Sequence, residues 1–166
     1  MCLFVMCMML PNRKPTRLQN FDYSNSGCYF ITICTNNKQH LLGCVDDGSI
    51  CLNAYGHIAA EEFKDLPRHY NMIEALKYIV MPNHVHAIIA INCAERSRPF
   101  PTIPTIIGLY KSGVSKRIHM IKPDIDVWQK SFYDHIIRNE NEYLRVWKYI
   151  DENPLKWTTD EYFTLL

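Results

Sequence analysis

Residues 73–91 hold two β-rich runs, Ile73–Val80 and His84–Ile91, parted only by Met81-Pro82-Asn83. Proline at that point is a turn signal, so the segment reads as two strands joined directly. Strands that follow each other this closely need flanking elements to cover them. Upstream, Cys28–Thr35 (CYFITICT) is β-branched and aromatic, the composition of a buried strand. Between it and the pair, Leu52–Tyr70 carries apolar residues at helical spacing through Ile58, Ala59, Phe63 and Leu66, and Pro67 is expected to end the regular part. Asn37–Ser49 reads as a loop or short hairpin, with Gly43 and an Asp46-Asp47-Gly48 turn.

Downstream, Cys93–Pro104 holds three prolines and reads as a linker. Thr105–Met120 reads as a helix, Val127–Ile137 holds a fourth strand, and Asn139–Asn153 reads as a final helix that Pro154 keeps from continuing. The order is β-α-β-β-α-β plus a C-terminal helix. That predicts an α+β, ferredoxin-like (split βαβ) sheet with helices on one face. A length of 166 residues fits one domain, expected over 28–160 and preceded by a polar arm over 1–27.

Charge and cysteine usage narrow the function classes. Eighteen Lys and Arg against 17 Asp and Glu give a net charge of +1, which argues against coating of DNA by bulk charge and leaves room for a local basic face. The seven cysteines, Cys2, Cys7, Cys28, Cys34, Cys44, Cys51 and Cys93, form no C-x-x-C pair, so a zinc ribbon is not expected. They read as reduced thiols of a cytoplasmic protein. The apolar start MCLFVMCMML is far shorter than the roughly 20 residues that span a bilayer, and its basic residues follow it, the reverse of a signal peptide. Two readings stay open for it, a start codon assigned too early or an N-terminal strand.

His84 and His86 stand two apart on a strand, so both rings point to one face, with Cα atoms about 6.6 Å apart by strand rise. Two imidazoles so placed can converge on one metal ion. The spacing equally suits two hydrogen-bonded histidines on a half-buried strand. A third ligand has to come from elsewhere, since no acidic residue adjoins the pair. On the last helix, Tyr143, Val146, Trp147 and Ile150 form an apolar stripe. Arg145, Tyr149 and Asn153 form a separate row at i, i+4 and i+8. That places a phenol one turn from a carboxamide oxygen, a donor suited to a hard cation. A half-buried tyrosine followed by an asparagine cap is the plain alternative.

Together these stretches resemble the REP-associated tyrosine transposases, within the one-tyrosine HUH transposases of bacterial insertion sequences. The residues that carry the resemblance are RLQNFDYSNSGCYFITICTNN (17–37), LNAYGHIAAEEF (52–63), YIVMPNHVHAIIAI (78–91), VWQKSFYDHIIRNENEY (127–143) and YIDENPLKW (149–157). MPNHVH paired with a downstream YI-x-x-NP is the most specific part. The resemblance implies a divalent metal, Mg²⁺ or Mn²⁺, on His84, His86 and Asn153, with Tyr149 as the nucleophile. It implies cleavage and rejoining of single-stranded or hairpin DNA through a 5′-phosphotyrosine, by a monomer or homodimer and with no membrane partner. Tyr133, also a motif tyrosine, competes for the nucleophile's role; Asp134, His135 and Arg138 match the family without an assigned role.

For DNA contacts the basic candidates are Arg13, Lys14 and Arg17 on the arm and Lys111, Lys116, Arg117 and Lys122 on and just after the helix that begins near Thr105. An ordinary solvated face is the alternative for each cluster. Two other functions compete with transposition. One is a metal-dependent hydrolase with water as nucleophile; the other is a catalytically inactive nucleic-acid-binding domain.

Overall fold

The computed structural model describes residues 27–92 and 101–164. Chain order gives β1 (Gly27–Cys34), β2 (Gly43–Asp46), β3 (Ser49–Leu52), α1 (Ala54–His69), β4 (Ile73–Val80), β5 (His84–Ile91), α2 (Ile103–His119), β6 (Tyr133–Ile137) and α3 (Glu140–Glu152). The main sheet runs β4-β5-β1-β6, antiparallel throughout, and β2-β3 forms a separate hairpin. The class is α+β, as the alternation of patterns predicts. Arg13, Lys14, Arg17 and Cys93 lie outside the described residues.

Side-chain alternation divides the sheet into two unlike faces. Tyr29, Ile31 and Ile33 of β1 and Val85, Ala87, Ile89 and Ile91 of β5 point to one face. There they pack against Ile58, Ala59, Phe63 and Leu66 of α1 and Ile103, Ile106, Ile107, Tyr110, Val114 and Ile118 of α2. Both helices present a residue every three or four positions, the spacing that keeps one stripe inward. The opposite face has a smaller cluster, Ile88, Ile137 and Ile150, with Phe30, Tyr143, Val146 and Trp147 packed around it under α3. An irregularity in β4 between Ala75 and Lys77 adds a residue to that strand. Its effect is to let both Ala75 and Tyr78 reach the large core while Leu76 and Ile79 join the small cluster.

Local chemistry fixes the ends. Asn53 caps α1 by accepting from Tyr55 N and Gly56 N, and Asn139 caps α3 by accepting from Glu142 N. Glu140 and Glu142 in the first turn of α3 suit its positive end. The hairpin turn places Asp47 and Gly48 both at positive φ, 45° and 71°, as a tight two-residue loop demands. At Gly56 an added Cβ would run into the Leu42 carbonyl, so only glycine lets α1 approach that loop.

Two expected boundaries move. Pro67 does not end α1; it sits in the last turn, which continues to His69. Pro104 belongs to α2 and not to the linker: proline at the first turn forfeits an N–H that has no helical partner anyway. The fourth strand, expected within Val127–Ile137, is Tyr133–Ile137. Trp128 makes an isolated bridge to Thr35, after which residues 129–131 turn their carbonyls away from β1. The Lys111 ammonium collects them, donating to Gln129 O, Lys130 O and Ser131 O.

Candidate active site

His84 and His86 alternate with Val85 on β5, and Val85 faces the large core. The two imidazoles therefore face α3, with ring centroids 4.4 Å apart, and neither is exposed. Each is oriented through Nδ1. Asn83 Oδ1 lies 2.8 Å from His84 Nδ1, while Asn83 Nδ2 donates to Lys38 O (3.1 Å) and Tyr162 O (2.7 Å). With its nitrogen so engaged, the Asn83 oxygen can only accept. His84 therefore carries its proton on Nδ1 and turns a bare Nε2 into the site. Thr32, the cross-strand partner of His86, places Oγ1 2.9 Å from His86 Nδ1.

Burial lowers the His84 pKa to about 4, opposed by the Asp160 charge and by the Asn153 side chain. Burial and then the neighbouring His84 charge hold His86 well below the ordinary imidazole range. Both rings are thus neutral at pH 7, the form that can ligate a metal.

Helix α3 brings the other components. Arg145, Tyr149 and Asn153 all line one cleft of about 710 Å³ together with His86, Phe30 and Tyr133. The Tyr149 hydroxyl lies 3.2 Å from His86 Nε2 and donates to Asp160 Oδ2 at 3.2 Å. Burial first and the Asp160 charge second push the Tyr149 phenol above its ordinary range. Asn153 closes the helix as its C-terminal cap residue and is 1% exposed. Among the described residues, neither of the buried atoms His84 Nε2 and Asn153 Oδ1 has a hydrogen-bond partner. Unpartnered buried polar atoms are costly, and these two face one site. Among the described residues no group of three or more His, Cys, Asp or Glu side chains is arranged to hold a metal. The donor set here is instead two imidazoles and an amide oxygen, and it fits a divalent cation.

Tyr133 opens β6 opposite Thr32 and is 47% exposed at the mouth of the same cleft. Tyr143 packs on Trp147, ring centroids 5.6 Å apart, away from the histidines. His135 pairs with Glu142 (2.7 Å), which also accepts from Arg138 N, so this pair anchors the start of α3. Asp134 is buried and alternates with His135 on β6. The basic helix α2 lies across the sheet from the histidines. Its Arg117 is bound to Glu61 (2.6 Å) and Glu62 (3.2 Å) and its Lys111 to the three carbonyls, while Lys116 and Lys122 are exposed.

Several site residues go beyond the sequence reading. Thr32 and Asn83 could have been found by strand parity and by their place in MPNHVH. Asp160 and Tyr162 carry no such signal. They belong to the segment after α3, where Trp157 is buried and Tyr162 lies with its ring centroid 4.8 Å from His84. Asp160 accepts from Asn153 Nδ2 at 2.6 Å and from Tyr162 N at 2.7 Å.

No family model matches the chain. An uncharacterized protein of Haemophilus influenzae is 32% identical over 168 residues, spanning 92% of this chain and 93% of that one. Among solved structures, a REP-associated tyrosine transposase bound to a REP hairpin superposes with a TM-score of 0.58 at 20% identity, over 85% of this chain and 74% of that one. A candidate transposase from Deinococcus radiodurans R1 superposes with a TM-score of 0.50 at 16% identity, over 81% and 95%. The chain belongs to one family with the Haemophilus influenzae protein, and its fold is that of the REP-associated tyrosine transposases.

Proposed function

We propose that this protein cleaves and rejoins single-stranded or hairpin DNA, with Tyr149 as nucleophile and His84, His86 and Asn153 as the metal-holding set. The observation that carries the reading is the phenol oxygen of Tyr149, 3.2 Å from His86 Nε2, beside the unpartnered His84 Nε2 and Asn153 Oδ1. The likeness to a transposase bound to a REP hairpin supports the class of substrate. A divalent cation at this site, Mg²⁺ or Mn²⁺, supplies Lewis-acid polarisation of the scissile phosphate.

The chain's own residues do the remainder. Tyr149 Oη attacks phosphorus, the bond from phosphorus to the 3′ oxygen breaks, and the phenol proton passes by way of solvent to that leaving oxygen. The products are a 5′-phosphotyrosine and a free 3′-OH. Because the covalent step conserves the phosphodiester energy, a 3′-OH can reverse it and rejoin strands, which hydrolysis by water could not. Phe30 and Tyr133 at the cleft offer faces for unpaired bases, and Arg145 and Lys156 stand at its rim for phosphates. Lys116, Lys122 and the arm residues Arg13, Lys14 and Arg17 are further candidate phosphate contacts.

The test is incubation of the full chain with end-labelled hairpin-bearing single strands and Mn²⁺, followed by a denaturing gel and peptide mass mapping. A protein–DNA adduct on a Tyr149 peptide is expected. Cleavage with no adduct would point to water as nucleophile, and an adduct on Tyr133 would move the nucleophile to β6.

A further inference from the structure

The carboxylate of Asp160 touches both groups on which the proposed chemistry depends. Its Oδ2 accepts from Asn153 Nδ2 at 2.6 Å and from the Tyr149 hydroxyl at 3.2 Å. Its Oδ1 is held by Tyr162 N at 2.7 Å. The turn itself is fixed, since Asp160 N donates to Trp157 O and Phe163 N donates to Asp160 O. Trp157 is 6% exposed and packs edge-on against Phe163, with ring centroids 5.3 Å apart. Asp160 is thus a firmly placed acceptor beside the site.

A carboxamide is ambiguous as a ligand, because it can turn either its oxygen or its NH₂ toward a cation and only the oxygen ligates. An ionised carboxylate has no proton to donate. Whatever faces Asp160 must therefore be the NH₂ of Asn153, and Oδ1 is forced to the other side, where it lies buried and, among the described residues, without a hydrogen-bond partner. We propose that Asp160 is a positioning residue: it selects the amide orientation of Asn153 that presents Oδ1 to the metal, and it holds the Tyr149 hydroxyl in register with that ligand. This rests on the metal-holding role of His84, His86 and Asn153. Acidic partners that orient a ligand from outside typically change metal affinity by about 10- to 100-fold.

The test is Mn²⁺ binding to the full chain, read by calorimetry and by the free Mn²⁺ spin-resonance signal, so that it does not depend on DNA cleavage. Asp160→Asn keeps size and the acceptor for Tyr162 N, but turns an NH₂ toward the NH₂ of Asn153 and so favours rotation of that amide. It is expected to weaken Mn²⁺ binding about 10- to 100-fold. The exchange D160N/N153D gives position 153 an acceptor that can take the NH₂ of the amide now at position 160 and still ligate. It is expected to restore binding to within a few-fold of the parent. Unchanged Mn²⁺ affinity in Asp160→Asn, where His84→Ala lowers it, overturns the proposal. A D160N/N153D protein as weak as Asp160→Asn also overturns it, because the loss then comes from the tail's packing. If His84→Ala leaves Mn²⁺ binding intact, it is the metal site itself that fails.

Discussion

The two faces of the sheet differ in what they bury. Against α1 and α2 the buried groups are mostly apolar; the polar ones include the Tyr110 hydroxyl, which donates to Ala59 O at 3.1 Å, and Asp134, which shares that face with its cross-strand partner Ile31. Under α3 the apolar cluster is small, and Ile150 is the helix's one buried residue. Beyond that cluster the same face buries Thr32, His84, His86 and Asn153, two of them with an unpartnered polar atom. Such atoms cost roughly 1–3 kcal/mol each. A domain of this size can keep them only if another region supplies the stability, and here that region is one strand thickness away. The alternation of β5 divides the work: Val85 is packing, and the residues on either side of it face the proposed site.

That division can be broken from either side. The largest effect is expected for Tyr149→Phe, which removes one hydroxyl. Covalent adduct should fall by at least about 10³-fold, the scale seen when an essential catalytic group is lost, while the melting temperature stays near that of the parent. A variant that still forms adduct would transfer the nucleophile to another residue. Phe63→Ala acts on the opposite face. Unfolding by denaturant should show a loss of about 3–5 kcal/mol, with adduct yield per folded molecule unchanged at low temperature. A fall in that specific yield would mean the two faces are coupled.

His84→Ala comes next. Mn²⁺ affinity should drop about 10- to 100-fold or more, with hairpin binding retained. If hairpin binding were lost equally, the ring would be holding DNA or the fold. The smallest effect is expected for Lys111→Met. The ammonium holds the carbonyls of residues 129–131, so stability should fall by about 1 kcal/mol after allowance for its partial exposure, as chemical denaturation would show. The salt dependence of DNA binding should not change. A flatter slope would place Lys111 on phosphate.

What the sequence reveals of this molecule depends on how local the cause is. Strand parity places both histidines on one face, and the i to i+4 spacing aligns Tyr149 with Asn153, because a helix and a strand are regular. The start of α2 at Ile103 and the shortness of β6 are harder to read. Pro104 looks like a breaker until its place in the first turn is known. The residues before Tyr133 look like strand until Lys111, far away in the chain, takes up their carbonyls. Asp160 is illegible for the same reason. Nothing in TTDEYF marks a site residue, and its meaning comes from a turn anchored by Trp157 against the end of α3.

Asn83 has a consequence for where the domain stops. Its single side chain joins the loop after β1, through Lys38 O, to the tail, through Tyr162 O, and fixes His84 between them. Thr164 adds a second tie, donating to the same Lys38 carbonyl. Among the described residues the last strand or α-helix ends at Glu152. Counted by satisfied donors the fold is not complete until the tail has passed Tyr162. A chain cut at Asp160 would keep every regular element, yet it would leave Asn83 with an amide proton to place and so loosen the ring that the amide oxygen holds. On the proposed reading, one buried carboxamide makes the site depend on chain beyond α3.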